Sequence, residues 1–274
     1  MTIARTTLAL APARPTAREA GACPRVPRRE RLLRTAGLYG RDAAEAIAET
    51  LWPTRCAVRD TPGEVLCAPC SLNLSPHDRW RACPRCGAPF GRVQCRECND
   101  VRRGVAGRDE PPFDACASAV AFDDAAARIV RTWKDAGERR LAGAMATLMA
   151  PMAPPSWLAD HPCIVPVPAT AAARRRRGFD HGEELAQALA DRLGLAVAPV
   201  LARPRSRDQR ALARRDRLAN MEGRVIPLPG ASAFPSVILV DDVYTTGATL
   251  FAATDAVRVA GAATVRCLTF ARVW

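Results

Sequence analysis

One segment carries the strongest structural information in this sequence: Val237-Ile-Leu-Val-Asp-Asp-Val-Tyr-Thr-Thr-Gly-Ala-Thr249. Its first four residues are β-branched or leucine, which predicts a short buried strand. Asp241 and Asp242 stand where that strand should end. The mostly apolar residues from Leu250 to Val259 then predict a helix. The segment therefore predicts a strand, a small polar loop and a helix in succession.

The residue types in this loop suit a sugar phosphate. Amide groups of the first helical turn and threonine hydroxyls can donate to phosphate oxygens, and the helix dipole favours an anion there. Gly247 permits a close approach or a positive φ, and two carboxylates can accept from vicinal hydroxyls or bind a cation. An ordinary strand, turn and helix with a threonine cap is the alternative. Two acids directly after an apolar strand favour the phosphate interpretation.

The stretch Asp241-Asp-Val-Tyr-Thr-Thr-Gly-Ala-Thr249 resembles the phosphoribosyl-pyrophosphate (PRPP) motif of type I phosphoribosyltransferases, in the Val-Tyr form of the ComF/GntX-like family. The resemblance implies an α/β fold, a Rossmann-like parallel sheet with a small N-terminal zinc ribbon, and Mg²⁺ bound with PRPP. It places Asp241 and Asp242 on the ribose hydroxyls. It places the following residues around the 5′-phosphate: Tyr244, Thr245, Thr246, Gly247, Ala248 and Thr249.

Composition limits the classes of function. The 274 residues carry a net charge of +12 and a pI near 9.8, which indicates an anionic partner such as nucleic acid or a phosphorylated metabolite. An arginine-rich genome explains the same count equally well. No apolar run approaches the length that spans a bilayer, so we expect no membrane span.

Two basic positions are candidates for the same site. Lys134 is the only lysine among 40 basic residues, which favours a role that needs a compact ammonium group. It ends a predicted helix that is capped by Asp123-Asp124. The family resemblance implies a phosphate contact for Lys134, and another for Arg177 in Arg177-Gly-Phe-Asp-His181. The family has Asn-Gln where this chain has Asp180-His181, and we interpret His181 as a turn or surface residue.

Seven of the eleven cysteines lie between residues 56 and 98 and include three CxxC pairs. The pairs at 83–86 and 95–98 predict a four-thiolate zinc ribbon, with Gly87 directly after the second cysteine. The family has two such ribbons, but here Arg59 stands at one ligand position of the upstream group. That group then recruits Asp60 or His77, or stays empty. The candidate zinc ligands are Cys83, Cys86, Cys95, Cys98, Cys56, Cys67 and Cys70.

The cysteine spacing also predicts the cellular compartment, and the order of the segments predicts the domain organisation. Disulfides are the alternative to zinc, but metal-like spacing without a secretory signal favours a reducing cytoplasm, bacterial by family resemblance. We expect a basic, disordered leader at 1–45, which also resembles a transit peptide or a start codon placed too early. A cysteine-rich module at 46–100, a linker at 101–112 and the phosphoribosyltransferase domain at 113–274 follow. A short helix is predicted at Arg41 to Leu51.

Other segments complete the predicted sheet. Strands are expected at 116–122, 163–168, 195–201 and 264–270, with helices at 139–152 and 183–193. The basic segment Arg203 to Asn220 matches the mobile loop of the family, which could close over PRPP and exclude water. It is alternatively a solvated helix, or with Arg174 to Arg177 a nucleic-acid surface.

Three functions are consistent with these patterns. The first is a transferase that moves the 5-phosphoribosyl group of PRPP to an unknown acceptor, with Lys134 and Arg177 stabilising the pyrophosphate leaving group. The second is a non-catalytic PRPP sensor or DNA-uptake adaptor that engages single-stranded DNA or competence machinery, since the family includes such proteins. The third is a nucleic-acid-binding zinc-ribbon protein whose enzyme domain has lost PRPP binding and activity.

Overall fold

The computed structural model describes residues 53–98, 110–203, 225–231 and 234–274. A parallel four-stranded sheet lies at its centre, in the order β1-β6-β5-β2. The strands are β1 (Ala115–Ala121), β2 (Cys163–Pro166), β5 (Ser236–Tyr244) and β6 (Thr264–Arg272), and a separate antiparallel pair joins β3 (Leu201–Ala202) to β4 (Ile226–Pro227). This confirms the expected α/β fold with a parallel sheet.

Seven α-helices are found in the described part of the chain. They are α1 (Ala68–Leu72), α2 (Asp124–Lys134), α3 (Leu141–Met149), α4 (Pro155–Leu158), α5 (Ala171–Arg177), α6 (His181–Leu193) and α7 (Ala248–Val259), and a 3₁₀ turn (Ala150–Met152) extends α3. Buried residues of α2, α3 and α6 pack on one face of the sheet, whereas those of α7 and the second cysteine group pack on the other. The sheet is therefore covered on both faces, as its apolar strands require.

Strand β5 lies inside the sheet, and residues 237–240 are fully buried, as their apolar character predicts. The strand does not end before the acidic pair. It continues through Asp241 and Asp242 to Tyr244, because hydrogen bonding to β6 persists as far as the Tyr244–Arg272 pair. The two carboxylates therefore leave from the carboxyl end of a strand, pointing to its opposite faces.

The expected strand at 195–201 is wrong in most of its length. Val197 forms one parallel bridge with Ile164 of β2, and regular pairing resumes only at Leu201 in β3. Pro199 lies between them and has no amide hydrogen to give to a ladder, which accounts for the interruption.

The cysteine-rich module packs directly against β1. The amide of His77 donates to the Ala119 carbonyl, and the amide of Ala121 donates to the Ser75 carbonyl. Gly87 has a φ of 71°, and a Cβ atom there would lie 2.6 Å from the Cys116 carbonyl oxygen. The turn at residues 83–87, the knuckle of the second cysteine group, therefore approaches the sheet backbone to a distance that only glycine allows.

Several expectations fall wholly or mainly outside the described residues. These are the leader at 1–45, the helix at Arg41 to Leu51, the linker at 101–112 up to residue 109, and the loop from Arg203 to Asn220 beyond its first residue. Within the described ranges, none of the helices has the length and apolar character needed to cross a bilayer.

Candidate functional site: an acidic pair with a lysine beside a phosphate loop

Lys134 and Asp242 meet at the carboxyl end of the sheet. Lys134 is the last residue of α2, and its Nζ lies 2.5 Å from Asp242 Oδ2. The carboxylate is almost fully buried, and the lysine side chain is 20% exposed. Burial alone would raise the pKa of Asp242, but the Lys134 ammonium outweighs it and holds that pKa below its ordinary value. Asp242 is therefore an ionised buried carboxylate.

Asp241 has the opposite electrostatic setting. Burial, and then the negative charge of neighbouring Asp242, raise the pKa of Asp241 well above its ordinary value. Its Oδ1 accepts from the amide of Asp242 at 2.9 Å. The two adjacent acids therefore differ in proton affinity, and a cation or a set of hydroxyl donors at this point would favour ionisation of both.

The loop that follows turns sharply at Gly247. Its φ is 83°, and a Cβ atom there would lie 2.6 Å from Tyr244 Oη. Gly247 caps α7 without a side chain, so the first turn of that helix presents amide groups beside the exposed Thr245 and Thr246. The Tyr244 ring is buried under the loop, where it supports Gly247. Loop and helix thus have the geometry of an anion site.

Arg177 lies at the end of α5, close to the turn that follows Lys134. Its Nη2 donates to Asp135 Oδ1 at 3.3 Å, and its Nη1 donates to His181 Nδ1 at 3.1 Å. Its side chain is 12% exposed. A cavity of about 620 Å³ brings this arginine together with the turn and is lined by Lys134, Asp135, Ala136, Gly137, Arg176, Arg177 and Phe179. Such a basic cleft suits a phosphorylated ligand.

His181 is not the surface residue expected from the sequence. It packs edge-on against Trp133, with ring centroids 5.5 Å apart. Burial, and then the Lys134 charge, lower the pKa of His181 to about 4, so the ring is neutral at pH 7. Because the arginine donates to Nδ1, the ring proton is on Nε2. The neutral ring holds the Arg177 guanidinium in place.

Asp180 and Gly182, which sequence analysis left without a role, fix the start of α6. The buried Asp180 carboxylate caps the helix by accepting from the amides of Gly182 and Glu183 and also binds Arg174 Nη2 at 2.9 Å. The Asp-x-x-Glu spacing at 180–183 could have predicted this cap. A Cβ atom at Gly182 would lie 2.2 Å from the Val167 carbonyl oxygen. This close approach has no signature in a single sequence.

A second cavity, of about 450 Å³, lies between the cysteine-rich module and β1 and includes His77, Trp80, Cys116 and Trp157 in its wall. Apart from Cys83 and His77, a candidate ligand of the upstream cysteine group, it contains none of the predicted site residues. Lys134 and Arg177 belong to the 620 Å³ cleft, which is accordingly the candidate ligand site.

The second cysteine group has the geometry of a four-thiolate metal centre. The Sγ atoms of Cys83, Cys86, Cys95 and Cys98 all lie within 4.8 Å of one another, and those of Cys86 and Cys95 are 3.5 Å apart. A tetrahedral zinc with bonds of about 2.3 Å requires sulfur separations of about 3.8 Å. Hydrogen bonds from the thiols of Cys86 and Cys98 lower the pKa of Cys83. These residues fit zinc.

The upstream group is a three-thiolate cluster of Cys56, Cys67 and Cys70, again within 4.8 Å. Neither proposed fourth ligand joins it among the described residues: Asp60 pairs with Arg55 at 3.0 Å, and His77 lies against β1. Both groups consist of free thiols, so the disulfide alternative is not found in them. The two clusters could hold zinc.

Comparison with known proteins places these features in a family. Residues 180–273 match the phosphoribosyl transferase domain, a range that contains the acidic pair and the loop at residues 244–249, which is called the phosphate loop because the sequence predicts that it binds phosphate. The chain is 28% identical over 214 residues to DNA utilization protein YhgH of Salmonella typhi, covering 73% of this chain and 87% of that protein. The same protein of Salmonella typhimurium matches to the same extent. These matches confirm the resemblance expected from the sequence: the chain carries a phosphoribosyl transferase domain and is similar to DNA utilization proteins, and its cysteine groups could hold zinc.

Proposed function

We propose that the chain binds PRPP with Mg²⁺ and transfers its 5-phosphoribosyl group to an acceptor. The observation that carries this proposal is the Lys134–Asp242 pair at the carboxyl end of β5, directly before an anion-binding loop. Ligands of open α/β sheets bind in the crevice at this end. A structural ion pair alone would need neither a second, half-buried acid next to it nor a basic cleft beside it.

Each part of the site then has one task. Asp241 and Asp242 accept hydrogen bonds from the ribose hydroxyls, and the loop of Thr245 to Thr249 donates to the 5′-phosphate. Lys134 leaves Asp242 in part to meet the pyrophosphate, and Arg177, which lines the same cleft, adds a second positive charge. Mg²⁺ supplies further positive charge to the pyrophosphate. Ribose hydroxyls on Asp242 compensate for the ammonium that the carboxylate gives up.

Calorimetry with PRPP and Mg²⁺ tests the binding step. We expect Asp241→Asn to lose PRPP binding, because an amide is a poorer acceptor for two hydroxyls. Asp160→Asn is the matched control, since Asp160 pairs with Arg266 near Ser236 at the opposite end of β5. Unchanged affinity in Asp241→Asn would refute the site assignment.

Pyrophosphate release tests the chemical step. The purified protein is incubated with PRPP, Mg²⁺ and a panel of nucleobases or single-stranded DNA, and inorganic pyrophosphate is measured. Release that depends on one acceptor would establish transfer and identify the substrate. PRPP binding without release from any acceptor would refute transfer and leave the binding function.

A second candidate function is a PRPP-responsive adaptor in the use of DNA. Two observations favour it: the relatives are DNA utilization proteins, and α5 ends in the exposed residues Arg174, Arg175 and Arg176. Such a surface would hold the phosphate backbone, so binding should weaken steeply with salt. Fluorescence anisotropy with labelled single-stranded DNA tests it, and Arg175→Ala with Arg176→Ala should reduce the salt dependence. Salt-independent binding would exclude this role.

A further inference from the structure

Arg272, the last residue of β6, is a buried cation that the site described above does not use. It is 1% exposed. Its Nη1 donates to the Cys86 carbonyl oxygen at 2.6 Å, and its guanidinium carbon lies 3.9 Å from the centre of the Tyr244 ring. Neither group carries a formal charge, yet a buried cation is costly without a nearby negative charge.

The four-thiolate centre supplies that charge. Cys86 is one of its four ligands, so Arg272 binds the backbone of the centre itself. Four thiolates around Zn²⁺ carry a net charge of −2, whereas four thiols carry none. Groups outside the first ligand shell commonly tune a metal centre through such contacts.

The other side of Arg272 meets the phosphate loop. The Tyr244 ring rests on the guanidinium, a cation–π contact in a dry environment. The hydroxyl of the same ring lies 2.6 Å from the position that a Cβ atom of Gly247 would take, so the ring limits how closely the loop can approach it. The amide of Val273, next to Arg272, donates to the Tyr244 carbonyl at 2.9 Å. A continuous contact path therefore runs from Cys86 through Arg272 and Tyr244 to Gly247.

We propose that Arg272 is a positioning residue that balances the charge of the zinc-loaded cysteine centre and holds Tyr244 under the phosphate loop, so that zinc loading sets the affinity of the loop for a phosphate group. The phosphate ligand in this statement rests on the proposed function, PRPP binding. The role of Arg272 toward zinc does not. Loss of zinc would leave the guanidinium without its counter-charge and would release the ring that supports Gly247.

Arg272→Met removes the charge and keeps a long apolar side chain, and Arg272→Lys keeps the charge without the planar stack. Arg266→Met is the control, because Arg266 is on the same strand, is only 15% exposed and binds Asp160 and Ser236 away from the cysteine centre. The first readout is the rate of zinc release to a chromogenic chelator. We expect release to be about tenfold faster in Arg272→Met, near the wild-type rate in Arg272→Lys, and unchanged in Arg266→Met.

The second readout is PRPP affinity by calorimetry, with the zinc-loaded and the zinc-stripped protein. We expect stripping to weaken wild-type binding about fivefold or more, and to add nothing in Arg272→Met, which is already weakened. If stripping unfolds the chain, the zinc-loaded Arg272→Met and Arg266→Met proteins are compared instead. Wild-type zinc release in Arg272→Met would overturn the charge role, and equal PRPP affinity in that variant would overturn the coupling. Absence of PRPP binding by the loaded wild type would refute the proposed function alone, with zinc release still testing Arg272.

Discussion

Replacing Lys134 with methionine removes the ammonium group from Asp242 and keeps an unbranched side chain of similar length. Asp242 has almost no access to water, so its carboxylate would be left buried and unpaired. Removing one partner of a buried ion pair typically costs about 3–5 kcal/mol. The 20% exposure of the lysine side chain places the expected cost toward the lower limit of that range.

Protonation of Asp242 limits this cost and makes it depend on pH. Neutralising a carboxyl group with an ordinary pKa of about 3.9 costs about 4 kcal/mol at pH 7 and about 1.5 kcal/mol at pH 5. In the wild type the pKa of Asp242 is below its ordinary value, so its stabilisation is fully present above about pH 4. We therefore expect Lys134→Met to lower the free energy of unfolding by about 3 kcal/mol at pH 7 and by about half of that at pH 5.

Urea unfolding followed by circular dichroism at the two pH values measures the difference. The double variant Lys134→Met with Asp242→Asn has no buried charge at this position and should recover much of the loss at pH 7. An equal loss at both pH values, or a loss below about 1 kcal/mol at pH 7, would show that Asp242 is not an ionised partner of Lys134.

Three further outcomes are expected. Gly247→Ala should destabilise the chain more than Gly230→Ala in urea unfolding. Both glycines have a positive φ, but of the two only position 247 has atoms within 3 Å of the added Cβ. Equal losses of unfolding free energy in the two variants would refute steric contact at the loop. His181, with a pKa of about 4, binds fewer protons in the folded state than when unfolded, so stability should rise from pH 4 to about pH 6.5 by up to about 3 kcal/mol. His181→Gln should flatten that rise, and an unchanged slope would contradict the burial argument. Cys83→Ser should lower the zinc content measured by atomic absorption, whereas Cys116→Ala, a buried thiol outside the centre, should not; equal zinc in both would exclude Cys83 as a ligand.

The elements with strong local patterns were predictable from the sequence. The apolar run at 237–240 formed a central strand, and Asp123 caps α2 by accepting from the Ala126 amide. The unusual isolation of Lys134 in an arginine-rich chain pointed to the residue that pairs with Asp242. Each of these depends on neighbours in sequence or on a rare residue type, which a single sequence displays.

The features that were missed depend on contacts between distant segments. His181 was expected in a turn or at the surface, because the residues near it in sequence do not predict its contact with Trp133 or its closeness to the charge of Lys134. The length of β5 is set by its pairing with β6, which continues to the Tyr244–Arg272 pair. In the sequence Arg272 is one arginine among many near the end of the chain. Its role depends on the Cys86 carbonyl oxygen, which only the folded structure brings next to it.

The packing of residues 75–77 on β1 has a consequence for how the chain can be divided. β1 is the outer strand of the sheet, and Pro76 bridges to Val120 along it. A truncated protein beginning at residue 110 would keep the acidic pair and phosphate loop but would uncover the hydrogen-bonding groups of β1 and the apolar surface beneath the knuckle. Open strand edges of this kind recruit other chains. The cysteine-rich module is therefore expected to protect the chain against aggregation as well, and its removal should lower solubility in addition to removing the Cys86 contact of Arg272.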